Sequence, residues 1–262
     1  MQARGWTPSS VEAFLSLEYG RDGAAANYAT WEAAVLGFSS VAELRAIRKR
    51  ARERTPAAKP LGPRLRRLRG AFAFDKRLGA WVTPFMGSDA SIVRRTQDSL
   101  AASDPSFSPV HHSVSITIRN RLNLVRLGVA GAVFTTLVKY SWGRQLLLRF
   151  PGLFSCGVFS RGGPTPSQIE GTSFSMTFLG RGFSSAPSES ALPDGVVVTR
   201  ISGPEPGYAA CSIIMAQAAL VVLEEAARLP PGGGVFTSAE LLRHTSFLDR
   251  VQKHGIQLDV LE

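Results

Sequence analysis

The chain has 262 residues, of which 44% are hydrophobic and 19% are charged, so it is long and apolar enough to bury a substantial core. This composition excludes an intrinsically disordered protein. The formal net charge of +10 favours an anionic partner, either nucleic acid or acidic lipid headgroups.

The amino-terminal region shows three regular patterns. Residues 11–17 predict a strand, and residues 28–38 predict a helix for which Thr30 is the expected N-cap. Residues 40–54 predict a second helix with an apolar stripe and an otherwise basic surface. No apolar stretch of the secretory type follows Arg4, so we expect a cytosol-facing protein that is not secreted.

The segment 43–77 carries the net charge of the whole protein, with thirteen basic and three acidic residues. Three prolines interrupt it, which predicts two short helices or a loop. In its second part, three leucines repeat at helical spacing among arginines, a basic amphipathic pattern. The candidate contacts to lipid headgroups are Arg64, Arg66, Arg67 and Arg69.

Two other interpretations of this basic segment stay open. It is also typical of a solvated surface loop, since runs of charge are readily hydrated. Nucleic acid is not expected as a partner, because the basic residues lack interleaved aromatics and no nucleic-acid-binding motif is present.

An apolar segment, 122–159, is the candidate membrane anchor. Its uncharged centre, 127–138, would be about 18 Å long as a helix, whereas a bilayer core requires about 20 residues. A second apolar arm follows and contains Pro151, so the pattern indicates a re-entrant hairpin or an in-plane anchor. A buried core helix is the alternative. The candidate anchor residues are Leu127, Val129, Val133, Phe134, Leu137, Val138 and Trp142.

The carboxy-terminal region predicts strands at 171–178 and 195–201, a long apolar helix at 208–229 and a last helix at 238–254. Alternating strands and helices favour an α+β (mixed α/β) fold. We therefore expect a mixed-sheet domain in two parts, 1–121 with its basic insertion 43–77 and 160–262, separated by the apolar hairpin 122–159.

Four blocks of sequence carry a resemblance to a known family. PFMGSDASIVRRTQ (84–97), a stretch within 143–169, GPEPGY (203–208) and GGVFTSAELLRHTSFLDRVQKHGI (233–256) resemble the vertebrate saccharopine dehydrogenase-like oxidoreductases. The resemblance implies the second, mixed-sheet domain of that fold, an amino-terminal Rossmann domain for NAD(P) in the full-length family, and a hydrophobic segment associated with lipid droplets.

The Gly-rich turn that binds a dinucleotide is not recognisable in this sequence. Residues 180–182 lack the third glycine, and residues 232–234 end a predicted helix. We therefore expect this chain alone to bind no cofactor and to be inactive, as the carboxy-terminal part of an oxidoreductase associated with a membrane or lipid-droplet surface. A non-catalytic protein of such a surface is the alternative. A lipid-like substrate is compatible with the membrane or lipid-droplet surface that both hypotheses assign to the chain.

Few residues are candidates for chemistry, and none is identified as catalytic. By resemblance, Thr30 and Trp31 stand at a helix start that would face the cofactor cleft of the intact enzyme, although Ala29 replaces the glycine of the family. An ordinary capped helix is the alternative. Ser88 and Asp89 would orient a substrate or cap the following helix. The pair His111 and His112 is not expected to bind metal, because adjacent strand residues point to opposite faces. Glu205 suits a helix N-terminus better than the role of a general base.

Overall fold

The computed structural model describes residues 5–54, 59–65, 68, 70–185 and 192–261. The chain forms two compact units. The first comprises Met1–Leu17, Ala58–Thr117 and Ser173–Glu262, and the second comprises Glu18–Ala57 and Ile118–Thr172. Each unit is built from segments that are far apart in sequence. In the second unit, the apolar segment 122–159 belongs together with residues 18–57.

Nine strands lie in the described ranges. They are β1 (Thr7–Glu18), β2 (Ala26–Asn27), β3 (Ala73–Asp75), β4 (Ala80–Pro84), β5 (His111–Ile118), β6 (Phe159–Ser160), β7 (Ser173–Phe183), β8 (Gly195–Pro204) and β9 (Gln257–Val260). The first unit contains a seven-stranded mixed sheet in the order β3-β4-β5-β1-β7-β8-β9. β1 and β5 are parallel, whereas β3 with β4, β7 with β8 and β8 with β9 are antiparallel. The predicted mixed α/β fold is confirmed.

Ten α-helices accompany these strands in the same ranges. They are α1 (Tyr28–Ser39), α2 (Val41–Arg54), α3 (Asp89–Ser103), α4 (Arg121–Leu137), α5 (Ser141–Arg149), α6 (Pro151–Phe154), α7 (Pro166–Glu170), α8 (Cys211–Glu224), α9 (Ser238–Leu242) and α10 (Phe247–Lys253). The candidate hairpin segment thus contains three helices, α4, α5 and α6. A π-helical turn, Pro206–Ala210, leads into α8.

The prediction that Thr30 caps the first helix is wrong. α1 begins at Tyr28, as the pattern of 28–38 predicts, but its N-cap is Asn27, three residues before Thr30. The side-chain oxygen of Asn27 accepts a hydrogen bond of 2.9 Å from the backbone N–H of Ala29. Asn is as good an N-cap as Thr, so the residue type alone did not distinguish the two positions. Thr30 lies within the first turn and is exposed.

Two predicted helices in the carboxy-terminal region end differently. The helix predicted for 208–229 stops at Glu224, and the carboxylate of Glu225 accepts a hydrogen bond of 3.0 Å from the N–H of Ser246. The single helix predicted for 238–254 is wrong, because α9 and α10 are separate. The hydroxyl of Thr245 donates to the carbonyl of Leu242 at 2.7 Å, which satisfies a carbonyl at the end of α9.

Candidate lipid-contact surface

The core of the second unit holds α1, α4 and α5 together. Its buried residues are Trp31, Val35, Val138 and Leu147. The ring of Phe134, on α4, meets Trp31 edge to face with centroids 5.2 Å apart. Large aromatic side chains of this kind contribute much of the apolar area that stabilises a small core. One side of α4 is therefore fixed against α1.

The structure separates the seven candidate anchor residues into two groups. Val138 is buried in this core, and Phe134 and Leu137 pack against it. Leu127, Val129, Val133 and Trp142 are exposed. A side chain that packs in the core is not available to lipid, so the candidate contact is reduced to the second group.

An apolar stripe runs along the outer face of α4. Its members, spaced by three or four residues, are Leu122, Val125, Val129 and Val133, which are 55%, 61%, 61% and 39% exposed. At about 100° per residue, such spacing places side chains on one face of a helix. Leu127 lies on a different face, about 160° from Val129. Leu122 and Val125 were not among the predicted anchor residues, although the helical period would have identified them.

The hydroxyl groups at the carboxyl end of α4 are satisfied within the helix. Thr135 donates to the carbonyl of Gly131 at 2.8 Å, and Thr136 donates to that of Ala132, also at 2.8 Å. Because hydrocarbon offers no hydrogen-bond partners, a surface that contacts it must satisfy its polar groups internally. The exposed side of α4 meets this requirement between Val129 and Thr136.

Aromatic and aliphatic side chains extend the exposed apolar surface of this unit. Tyr140 and Trp142 stack with centroids 5.8 Å apart and an angle of 18° between the rings, and both are exposed. Phe150 is also exposed and lies beneath the guanidinium of Arg149, and Leu153 is 74% exposed. Tyr and Trp are typical of membrane interfaces, because each has an apolar body and a polar tip.

The basic helix α2 belongs to the same unit. Arg45, Arg48 and Lys49 line a shallow depression together with Glu53. Leu44 and Ile47 are exposed on this helix. Of the four candidate headgroup residues, Arg64 is exposed and lies in the first unit, whereas Arg66, Arg67 and Arg69 fall outside the described residues.

The four cleft candidates lie in different environments. In the second unit, Trp31 is a core residue whose indole N–H is bound to the carbonyl of Leu147, and Thr30 is exposed. In the first unit, Ser88 and Asp89 stand at the start of α3. The Ser88 hydroxyl forms no capping hydrogen bond within the described residues. The backbone carbonyl of Ser88, however, accepts hydrogen bonds from the N–H groups of Ser91 and Ile92.

Two further polar candidates, Glu205 and His112, differ in how they are satisfied. The carboxylate of Glu205 accepts hydrogen bonds from the N–H groups of Gly207, Tyr208 and Ala209, which confirms its predicted place at a helix start. The buried Nδ1 of His112 has no hydrogen-bond partner among the described residues. Burial lowers the pKa of His112, and the nearby charge of Asp89 opposes that shift. Within the described ranges no cluster of three or more His, Cys, Asp or Glu residues is arranged to hold a metal.

The glycine runs of this chain do not fit the phosphates of a dinucleotide. Gly180 and Gly182 lie inside β7, opposite Val197 and Gly195 of β8. Residues 232–234 lie in a loop, with positive φ at all three glycines, and no strand precedes them directly. Phosphate binding requires a tight turn from a strand into a helix N-terminus, which neither run provides.

One helical stretch of the described residues, Pro206–Glu224, is long and apolar enough to cross a membrane by length and composition. It has 19 residues, and an 18-residue window within it has a mean hydropathy of 1.7, with 17% of that window buried. It lies in the first unit, outside the segment for which an anchor was predicted.

Curated relatives cover almost the whole chain. The chain is 39% identical over 259 residues to the saccharopine dehydrogenase-like oxidoreductase of Mus musculus and 38% identical to that of Homo sapiens, over 97% of this chain and 59% of each relative. It is 28% identical to the lipid droplet localized protein of Caenorhabditis elegans, over 94% of this chain and 59% of that protein.

No family model and no solved structure matches the chain. The chain spans about three fifths of the length of the curated relatives that it matches. Its similarity to them extends over nearly all of its own residues, which agrees with the resemblance carried by its four sequence blocks. The chain is related to the saccharopine dehydrogenase-like oxidoreductases and corresponds to a carboxy-terminal portion of them.

Proposed function

We propose that this chain is the lipid-associating part of an NAD(P)-linked saccharopine dehydrogenase-like oxidoreductase. The second unit would lie on a membrane or lipid-droplet surface that faces the cytosol, with the outer stripe of α4 in contact with acyl chains and basic residues in contact with acidic headgroups. The observation that carries the proposal is the exposed stripe from Leu122 to Val133 on a helix whose other side is held in a core.

Charge and apolar surface would act together in this association. Each Lys or Arg near an anionic surface contributes about 1 kcal/mol, an attraction that fades with salt. α2 supplies Arg45, Arg48 and Lys49, and Tyr140 and Trp142 supply amphipathic rings suited to the headgroup level. The worm relative is named a lipid droplet localized protein, which supports the same setting.

Flotation of the protein with anionic liposomes tests the contact. Val129→Asp together with Val133→Asp should reduce the bound fraction about tenfold or more, because a charge within the apolar layer of a membrane costs about 2.5–3.5 kcal/mol. Both positions are exposed, so the fold should persist, as circular dichroism will verify. Asn123→Asp adds a negative charge at an exposed position of the same helix, about 120° from Val129 and about 80° from Val133, and serves as the control. Unchanged flotation of the double variant would refute the stripe as a lipid contact.

Oxidoreductase activity is proposed for the longer protein. The relatives carry that name, and among the described residues neither 180–182 nor 232–234 forms the strand-to-helix turn of a dinucleotide site, so we propose that the cofactor is held by the part of the relatives outside the match. A chimera that adds the unmatched part of the mouse relative to this chain should bind NADPH in a fluorescence titration, whereas this chain alone should not. If the chimera bound neither NADH nor NADPH, the alternative, a non-catalytic lipid-surface protein, would replace the enzymatic proposal.

A further inference from the structure

The part of the chain that contains α4, α5 and α6 carries a second concentration of positive charge. Between Asp104 and Glu170 the sequence has no acidic residue, but it has seven lysines and arginines, namely Arg119, Arg121, Arg126, Lys139, Arg144, Arg149 and Arg161. All seven lie in the second unit. Acidic residues elsewhere balance them in the total charge, so this feature is separate from the basic segment 43–77.

Three of these seven side chains are engaged within the protein. The guanidinium of Arg144 donates to the carbonyl of Val138 at 3.1 Å, at the carboxyl end of α4. Arg149 and Arg161 lie over the rings of aromatic neighbours, with distances of 5.6 Å and 4.5 Å to the ring centroids. These three arginines therefore support the fold itself.

The amino-terminal end of α4 holds three of the other four. Arg119, Arg121 and Arg126 are exposed, and none of them forms an ion pair or a side-chain hydrogen bond with a described residue. The fourth, Lys139, is exposed at the other end of the helix. Because no carboxylate of the described residues neutralises them, the three guanidinium groups can bind an anion from outside the chain.

Two of these arginines flank the apolar stripe of α4. At about 100° per residue, Arg121 lies about 80° from Val129 on one side of the stripe, and Arg126 lies about 60° from Val129 on the other side. Leu122 and Val125 fall between them. Arginine can lay its apolar stem along such a stripe while its charged head stays in water. An apolar centre with cationic edges matches the boundary between acyl chains and anionic headgroups.

We propose that Arg121 and Arg126, together with Arg119, bind the headgroups of anionic phospholipids and give the α4 contact its preference for an anionic surface. This inference rests on the proposed function, in which the stripe between the arginines meets acyl chains. Arginine suits the role because its planar guanidinium binds a phosphate or a carboxylate through two parallel hydrogen bonds.

The other end of α4 also suits the headgroup level. Lys139 is exposed there, and the stacked, exposed rings of Tyr140 and Trp142 follow it in sequence. With both ends at headgroup level, α4 lies in the plane of the surface. The phosphates of a nucleic acid would meet the same arginines, but its backbone offers no apolar layer for Leu122 and Val125.

Vesicles of phosphatidylcholine with a graded content of phosphatidylserine test the proposal on the full chain. Arg121→Gln together with Arg126→Gln should weaken binding to phosphatidylserine-rich vesicles about thirtyfold at low salt, or about fivefold per arginine. Binding to pure phosphatidylcholine vesicles should not change. Glutamine has nearly the helix propensity of arginine, so α4 should persist, as far-UV circular dichroism will verify.

Arg94→Gln together with Arg95→Gln is the matched control. It removes the same charge from two exposed positions of α3, in the first unit, and should keep the dependence of the parent protein on phosphatidylserine. An equal loss in this control would overturn the proposal, because overall charge would then explain the effect.

The remaining outcomes separate this inference from the proposed function. If the Arg121 and Arg126 variant kept the full dependence on phosphatidylserine, these arginines would not bind the headgroups, although the stripe would still bind vesicles. If the variant weakened binding to a single-stranded RNA oligonucleotide and not to vesicles, the arginines would serve a nucleic acid. If the parent protein bound no vesicle of either composition, the proposed lipid contact would fail and this inference with it.

Discussion

The indole Nε1 of Trp31 donates a hydrogen bond of 2.9 Å to the backbone carbonyl of Leu147. Four residues after Leu147 stands Pro151, which has no N–H and cannot serve as the next donor along a helix. The side chain of Trp31 therefore replaces a backbone donor at the junction of α5 and α6, and joins α1 to α5 in the core of the second unit.

Trp31→Phe should destabilise the protein by about 1–3 kcal/mol, because it leaves a buried carbonyl without a partner while it keeps an aromatic ring. Urea unfolding followed by far-UV circular dichroism measures the loss. Trp142→Phe is the control, since Trp142 is exposed, and it should change the free energy of unfolding by less than about 0.5 kcal/mol. Equal stabilities for the two variants would contradict the role assigned to Trp31.

Arg77 binds two carboxylates in the first unit, Glu12 on β1 and Asp75 on β3, each at 2.6 Å. The Arg77 side chain is 41% exposed, so solvent screens these pairs, and Arg77→Met should cost only about 1 kcal/mol at neutral pH. Urea unfolding measures this cost, and Lys76→Met is the control. A loss no larger than that of the control would show that the pairs contribute nothing measurable.

The same guanidinium, mainly through its hydrogen bond, holds the pKa of Asp75 below its usual range. A carboxyl with a lowered pKa stabilises the fold above the pKa of the unfolded chain, about 3.9, and this contribution is lost as the pH falls through the lower folded value. Acid titration of the unfolding free energy should therefore be less steep in Arg77→Met than in the parent protein. An unchanged acid limb would contradict this linkage.

His112 should make stability depend on pH in a higher range. Burial lowers its pKa, so its contribution is complete above the unfolded value, about 6.5, and is lost as the pH falls through the folded value. His112→Leu should flatten the loss of unfolding free energy that sets in as the pH falls below the unfolded value of about 6.5. Ser113→Ala, at the neighbouring position of β5, removes no titratable group and should retain the slope of the parent protein. If His112→Leu retained the slope of the parent protein, His112 would not be the source of this pH dependence of the unfolding free energy.

Glu205 should stabilise the start of the π-helical turn and α8. Glu205→Ala should cost about 1 kcal/mol, because three N–H groups lose their acceptor, and Glu205→Gln should cost less, since it keeps an acceptor oxygen. Thermal unfolding measures both variants. Glu170→Ala, at an exposed position, is the matched control. If the Ala and Gln variants were equally stable, hydrogen bonding would not be the dominant contribution.

Local sequence patterns predicted several elements correctly. The alternation in 11–17 and the β-branched run in 195–201 lie within β1 and β8, and the helical periods of 28–38 and 40–54 coincide with α1 and α2 within a few residues. These patterns depend on neighbours along the chain. The N-cap of α1 was misplaced, because Asn27 and Thr30 are both good caps and only the backbone conformation distinguishes them.

The sequence by itself determined the mixed α/β class, the apolar character of 122–159, the concentration of positive charge in 43–77 and the relation to the oxidoreductase family. Only the tertiary structure decided that Phe134 and Val138 face a core while Val129 and Val133 face outward, and that α8 is half exposed. Apolar side chains of similar size follow one another in both helices. Which side of each helix is covered therefore depends on contacts with residues distant in sequence, Trp31 for α4 and Val251 and Ile256 for the start of α8.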